Sequence, residues 1–537
     1  MEIFPTTYDT RNRIWSGSKR SSIYKEETSL GQIICNTMRN FPKNVFQIND
    51  IDGVTVNFEQ GILWAIRMAQ IFKKRGLKHS DVIGIAARNS TYVTPLGVAC
   101  LFNTTPFHAV NPTYDEGTTN HVFSITKPSL IFCDGQDYQK ILAATIAWKP
   151  EIFTVTEPLQ GVPHIDSLLN PTPTELFYQP EPLKEGGGQT VAILCSSGTT
   201  GLPKAVCLSN RCLVKDSFIF FNNETVTYSA SGLDWYSGLI SYIMSTTIGC
   251  TRVITNRPFS AEYFVQLVEK YKISYVNFSP RHLSALVNCP AATKESLASL
   301  KVITYGGSIS SLDTQKRLQK LVPNCVLISG YGFTEGGGVL TAGMGLKSGN
   351  SVGKPMRGVK IRIVDDDGKF LTYNEVGEIY VNTGLPWNGY YGNPLETQLM
   401  QDCDGWFHSG DLGYFNEQNL LFIVDRKKEI LKFQGNQYWP SEIEATISEL
   451  AQVEEVSVVG IYDEKNGDSA GALVVKKKGA TITEQEIIDH VAKRLPAVYK
   501  HLHAGVEFTE DLPANPNGKT DKRAAREEFL RRKSAAA

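Results

Sequence analysis

Short, wholly apolar runs alternate along most of the chain with longer stretches in which apolar residues recur every three or four positions. The first pattern belongs to strands buried on both faces and the second to amphipathic helices, so their alternation predicts an α/β architecture in which strands feed helices. Residues 191–195 (Val-Ala-Ile-Leu-Cys) read as a buried strand that empties into a Ser/Thr/Gly loop. Residues 273–278 read as another, followed by Pro280 and a helical pattern carrying Leu283, Leu286 and Val287. A strand over 301–305 runs into Gly306-Gly307, a polar, amphipathic stretch over 311–321 follows, and 325–329 forms the next strand before Gly330-Tyr331-Gly332. The stretch 171–188 is rich in Pro, Gly and Glu and has no period, the mark of an exposed connector.

Towards the end the pattern restarts. Strands over 456–461 and 472–476 flank a turn, and Thr483-x-x-Glu486 is a capping-box signature opening a helix with Ile487, Ile488, Val491 and Leu495 on one face. Ahead of this unit, Asp425-Arg426-Lys427-Lys428 is a charged run without bulky apolar residues, the composition of a solvated hinge. At 537 residues the chain is longer than one hydrophobic core sustains. The expectation is a large multi-lobed N-terminal domain with mixed sheets, residues 1–424, and a small mobile C-terminal α/β domain, residues 425–537.

Charge narrows the partners. With 54 Lys+Arg against 55 Asp+Glu there is no basic excess to neutralise a phosphate backbone, so nucleic acid is not an expected partner. The clusters Lys73-Lys74-Arg75, Lys476-Lys477-Lys478 and Arg531-Arg532-Lys533 lie far apart and read as solvated faces. No apolar run approaches the roughly 18 to 20 residues of a membrane-spanning helix. The opening Met1-Glu2-Ile3-Phe4-Pro5 lacks the basic-then-apolar order of a secretory leader, so a soluble, intracellular protein in a reducing compartment is expected. The 10 cysteines agree: none forms a Cys-x-x-Cys pair, and Cys100, Cys133, Cys195 and Cys325 lie in apolar stretches, as buried free thiols do.

The strongest chemical signal is Ser196-Ser197-Gly198-Thr199-Thr200-Gly201-Leu202-Pro203-Lys204, directly after a buried strand. Small residues let backbone N–H groups approach phosphate oxygens, hydroxyls add donors and the lysine adds charge, which together make an anion cradle. A Walker A loop cannot be registered on it. The loop resembles the phosphate-binding signature of the adenylate-forming superfamily, which includes acyl-CoA synthetases, nonribosomal adenylation domains and insect luciferases. Further elements follow in that family's order. Gly330-Tyr331-Gly332-Phe333-Thr334-Glu335, Trp406-Phe407-His408-Ser409-Gly410-Asp411, the hinge Asp425-Arg426-Lys427-Lys428 with Gly435-Asn436-Gln437, and Asn517-Gly518-Lys519 each resemble one of its motifs. The resemblance spans almost the whole chain.

What the resemblance implies is an acid–thiol ligase using ATP, Mg2+ and coenzyme A. A carboxylate attacking the α-phosphate brings two anions together, and the departing pyrophosphate gathers more charge. The resemblance makes Glu335 the magnesium ligand and Thr334 a phosphate-orienting hydroxyl, with Asp411 accepting from the ribose hydroxyls. Tyr331, flanked by Gly330 and Gly332, stacks on adenine, and Gly306, Gly307 and Ser308 line the base. Lys519 bridges acid and phosphate, Arg426 and Lys428 belong to the nucleotide-binding hinge with Lys428 as pivot, and Lys432 and Gly435 serve thioester formation.

Three departures stand out. The pocket histidine of many relatives is missing from Trp235-Tyr236-Ser237-Gly238, Ala205 replaces a common glycine, and 513–519 lacks the lysine that often follows the first proline. The missing histidine argues against light emission. The sequence does not present a terminal Ser-Lys-Leu, so peroxisomal import by that address is unsupported, and the expected compartment is peroxisome or cytoplasm. The leading expectation is a medium- or long-chain fatty acyl-CoA ligase of the insect luciferase-like branch, a monomer or weak homo-oligomer. The alternatives are an aryl-acid (coumarate-like) CoA ligase, a nonribosomal adenylation enzyme and a nucleotide-binding pseudoenzyme of the same fold.

Overall fold

The apolar runs fall into three sheets in the computed structural model, which describes residues 4–196, 202–214, 221–308, 310–345, 351–514 and 520–536. In the six-stranded sheet Ile83–Ala86, Phe107–Ala109, Leu130–Cys133, Glu151–Thr154 and Thr190–Ser196 run parallel, and Lys204–Ser209 returns antiparallel beside the last. The 15-stranded sheet has a parallel half, in the order Val45–Asn49, Thr251–Ile254, Val226–Ser229, Tyr275–Phe278, Val302–Gly306, Val326–Phe333. It continues antiparallel through Gly338–Met344, Ser351–Pro355, Leu421–Arg426, Phe407–Phe415, Gly377–Asn382 and Lys360–Val364.

Between the two sheets lies the helix Val93–Asn103, buried at all 11 positions. A helix apolar all round belongs inside a large core. Here it packs on the helices Leu30–Asn40 and Phe58–Lys74, and the cluster it joins includes Phe46 from one sheet and Ile83 and Phe107 from the other.

The last part of the chain builds its own core around Tyr438, Ile443, Val458, Val474, Ile487 and Val491, on the sheet made by Leu431–Phe433, Asn436–Tyr438, Val453–Asp463, Gly467–Lys476 and Gly505–Thr509. The expected capping box is present: Thr483 accepts from Glu486 N, and Thr483 N donates to the Glu486 carboxylate at 2.8 Å. This unit touches the body of the molecule through Arg281, which pairs with Glu455 at 3.6 Å and with Asp511, and through Asn288, which donates to Glu454 at 3.3 Å.

Two expectations need adjustment. The strand expected over 325–329 runs on to Phe333, because Gly330 and Tyr331 keep pairing with Ala342 and Thr341. The charged run at 425–428 is not free hinge throughout. Asp425 and Arg426 are the last rungs of a strand, and the chain leaves the sheet only at the turn Lys427–Glu429. All ten cysteines are free, Cys195 being half-buried and Cys403 exposed while the rest are buried. Among the described residues no helix is long and apolar enough to cross a membrane.

Candidate active site

Parallel strands leave their ligand crevice beyond their carboxyl ends. At that edge Gly306 pairs with Gly330 so closely that a Cβ on Gly306 would stand 2.5 Å from the Gly330 carbonyl oxygen. Gly307 turns with φ 89°, and both it and Ser308 are exposed.

Continuing past Gly330, the strand presents Tyr331, whose hydroxyl donates to Asp411 Oδ2 at 2.8 Å. The other carboxylate oxygen takes Arg426 Nε at 3.2 Å. Asp411 and Arg426 meet because they are register partners on adjacent antiparallel strands. Asp411 is buried, and its backbone N–H donates to Ser409 Oγ, which itself donates to the Ile379 carbonyl. Burial and the Asp411 charge hold the Tyr331 phenol well above its ordinary pKa, so it is a neutral donor. What the structure shows of Tyr331, expected as a stacking platform, is this hydrogen bond, which fixes the Asp411 carboxylate.

Residues 334–337 form the turn between Val326–Phe333 and Gly338–Met344, closed by Gly337 N donating to the Thr334 carbonyl. Glu335 in this turn is only 9% exposed. Its Oε1 accepts from the Tyr390 hydroxyl at 2.8 Å, and burial together with the Glu335 charge raises that phenol. Lys204 stands 5.0 Å from the centre of the Tyr390 ring and is ion-paired with Glu396. Tyr390 arrives there because residues 389–391 ride on the edge of Lys204–Ser209, with Cys207 N donating to Gly389 O and Tyr391 N to Ala205 O. Tyr390 and Glu396 had no signal of their own in the hydrophobic pattern. The clue was the aromatic and glycine-rich run Trp387-Asn388-Gly389-Tyr390-Tyr391-Gly392 just before an Asn393 helix cap.

Ser196 pairs with Lys204 at the base of the hairpin that carries the phosphate loop. Ser197, Gly198, Thr199, Thr200 and Gly201 lie outside the described residues, as does Lys519. Lys428 is exposed on its turn. Lys432 and Gly435 sit on an exposed hairpin turned by Gln434 and Gly435, both left-handed (φ 49° and 82°), and Lys432 N donates to Asp468 within the small sheet. The structure does not join these three to the Asp411 and Glu335 groups. At the pocket position of the missing histidine, Ser237 donates to Ser231 Oγ at 2.9 Å and Tyr236 donates to the Gly337 carbonyl at 2.5 Å. Next to them burial pushes the Asp234 carboxyl up to about 6, a group the sequence reading passed over.

For a divalent cation, one protected carboxylate is available in Glu335, and the described residues contain no group of three His, Cys, Asp or Glu side chains able to cage a metal. That donor set fits magnesium, which keeps waters and takes most of its remaining ligands from substrate phosphates.

The fold is that of an AMP-binding enzyme. Residues 36–391 match the AMP-binding enzyme family and residues 442–519 the AMP-binding enzyme C-terminal domain, so the chain belongs to that family, as its motifs led us to expect. It is 30% identical to the luciferin 4-monooxygenase of Photinus pyralis over 501 residues, covering 89% of this chain and 90% of that one. It is 34% identical to 4-coumarate–CoA ligase 3 of Oryza sativa subsp. japonica over 346 residues, 61% of this chain and 62% of that protein. In three dimensions it superposes on the anthranilate CoA ligase AuaEII in complex with anthranoyl-AMP with a TM-score of 0.84 at 17% identity, covering 96% and 99% of the two chains.

Proposed function

We propose that this enzyme cleaves ATP to join a carboxylic acid to AMP and then passes the acyl group to coenzyme A, with a medium- or long-chain fatty acid as the acid. The observation that carries the reading is the buried Asp411, held between Tyr331 and Arg426 at the mouth of the parallel strands. Each of its oxygens keeps a lone pair for a ribose hydroxyl. Glu335, steadied by Tyr390, would hold magnesium, which when bound would offset the repulsion between the two reacting anions. Lys204 and the loop Ser196–Gly201 take the phosphates, Lys204 exchanging Glu396 for them, while Thr334 keeps the α-phosphate in line.

In the first step an acid oxygen bonds to the α-phosphorus and the bond to pyrophosphate breaks, with Lys519 stabilising the charge that develops. In the second, the thiol sulfur bonds to the acyl carbon, the bond from that carbon to the AMP oxygen breaks, and the thiol proton is released to solvent as AMP leaves, a step that needs proximity more than a further catalyst. Between the two, the domain over 425–537 turns about Lys428, bringing Lys432 and Gly435 to the cleft.

A second reading, an aryl acid as substrate, is supported by the coumarate-ligase relatives. Acid-dependent ATP–pyrophosphate exchange over a panel from short-chain to long-chain and cinnamic-type acids separates the two, and no exchange with any acid would leave a nucleotide-binding pseudoenzyme. Lys519→Ala is expected to abolish that exchange while ATP binding persists. Undiminished exchange would refute the role given to this lysine.

A further inference from the structure

Away from the nucleotide site, Arg252 lies in the strand Thr251–Ile254 at 1% exposure. Its neighbour Val253 packs into the apolar cluster around Phe264 and Phe278, so the pleat sends Arg252 to the opposite side, against the helix Val93–Asn103. There its guanidinium donates to Thr94 Oγ1 at 3.0 Å and to Asn89 Oδ1 at 3.3 Å, both neutral acceptors. Its Nε–H has no hydrogen-bond partner among the described residues. Among the described residues, the ionisable side chain that acts on its charge is the Tyr242 phenol, not a carboxylate. Burial lowers Arg252 to about 10, which leaves it cationic at neutral pH. A buried charge is normally paired, because removing an ion from water without compensation is among the costliest acts of folding.

The surroundings of Arg252 point to what compensates it. Tyr242 is fully buried and its hydroxyl has no hydrogen-bond partner among the described residues. That hydroxyl lies 3.0 Å from where a Cβ on Gly97 would be, and Gly97 is one turn beyond Thr94 on the same helix face. Ser90, which precedes the helix and follows the Asn89 that accepts from Arg252, is buried with its hydroxyl equally unmatched among the described residues. Gln47, the register partner of Arg252, gives its Nε2 to the Thr91 carbonyl at 2.7 Å and leaves Oε1 unmatched. Among the described residues the orphaned atoms are therefore the Nε of a cation, two hydroxyl oxygens and one amide oxygen. Water alone satisfies hydroxyls but leaves the charge in place, whereas an anion answers both, with a water beside it for Gln47 Oε1.

We propose that Arg252, Tyr242 and Ser90 hold a small inorganic anion, chloride-sized, in the interior between the helices Val93–Asn103 and Tyr236–Ile248 and the strand Thr251–Ile254. The ion ties both helices to the large sheet, and ligation that favours the folded chain raises its stability with the logarithm of ion concentration.

Crystals grown in sodium bromide provide the direct test: an anomalous peak is expected within hydrogen-bonding reach of Arg252 Nε. In parallel, thermal unfolding of the full chain is followed while chloride replaces gluconate at constant ionic strength. The melting temperature is expected to climb with chloride, and Tyr242→Phe to raise the half-effective concentration about tenfold or more. Arg252→Met should abolish the dependence, but the proposal does not need that variant to fold. Absence of the bromide peak, or identical melting in chloride and gluconate, would overturn it.

Discussion

Asp411→Asn keeps the size of the side chain and removes its charge. In the parent, Tyr331 O–H and Arg426 Nε each occupy one oxygen, leaving one lone pair per oxygen for the two ribose hydroxyls of the proposed nucleotide. A hydrogen bond to a charged group is worth about 1.5–3 kcal/mol. The amide retains one acceptor oxygen, now uncharged, and turns a donor towards the other hydroxyl, so roughly one such bond is lost. That corresponds to about tenfold to a hundredfold weaker binding of AMP. Calorimetric titration of both proteins with AMP and with 2′,3′-dideoxy-AMP isolates the contact. The parent should prefer AMP by more than this factor, the variant's preference should shrink by about this factor, and dideoxy binding should hardly change. A variant that weakens on both nucleotides equally, or a parent that does not discriminate between them, would show that Asp411 does not read the ribose.

Glu396→Gln should release Lys204 for phosphate and lower the KM for ATP by up to about fivefold, with kcat little changed, since a part-exposed pair of this kind is worth up to about 1 kcal/mol; an unmoved KM means the two do not compete. Gly306→Ala places a Cβ 2.5 Å from a backbone oxygen, and equilibrium denaturation should register a loss of about 1–3 kcal/mol. His108 is buried, bonded to Thr126, and pushed down to about 3 by burial, so the unfolded chain takes up the proton first as pH falls. Its contribution is complete above the unfolded value near 6.5 and drains away as pH drops from there towards 3. Between pH 6.5 and 5 that amounts to about 2 kcal/mol, and His108→Asn should flatten the fall in melting temperature over this window.

The parallel strands around the site were legible because strands covered on both faces are continuous apolar runs, and Thr190–Ser196 and Val302–Gly306 lie where those runs do. Motif order placed Asp411, Tyr331 and Glu335, and the structure joins the first two directly. Their supports were less accessible. Arg426 reaches Asp411 through the pairing of two strands, and the same run of charge that looked like free hinge is half strand. Tyr390 and Glu396 come from an irregular segment without a period, docked by two backbone hydrogen bonds on the edge of another strand. Local pattern carries no information about such docking. Arg252 was equally silent, since one basic residue in a short strand looks like any exposed rung until the layer covering it is known.

The helix Val93–Asn103 leaves no surface on which its residues can vary freely. On an ordinary amphipathic helix about half the positions accept a charge, and neutral drift collects there. Here each side chain abuts one layer or another, so an inserted charge has no route to water and a change of volume is felt in both sheets at once. Mutational scanning should therefore find this short stretch the least forgiving in the protein, more so than many residues nearer the nucleotide, and a library aimed at new acids would do best to leave it untouched.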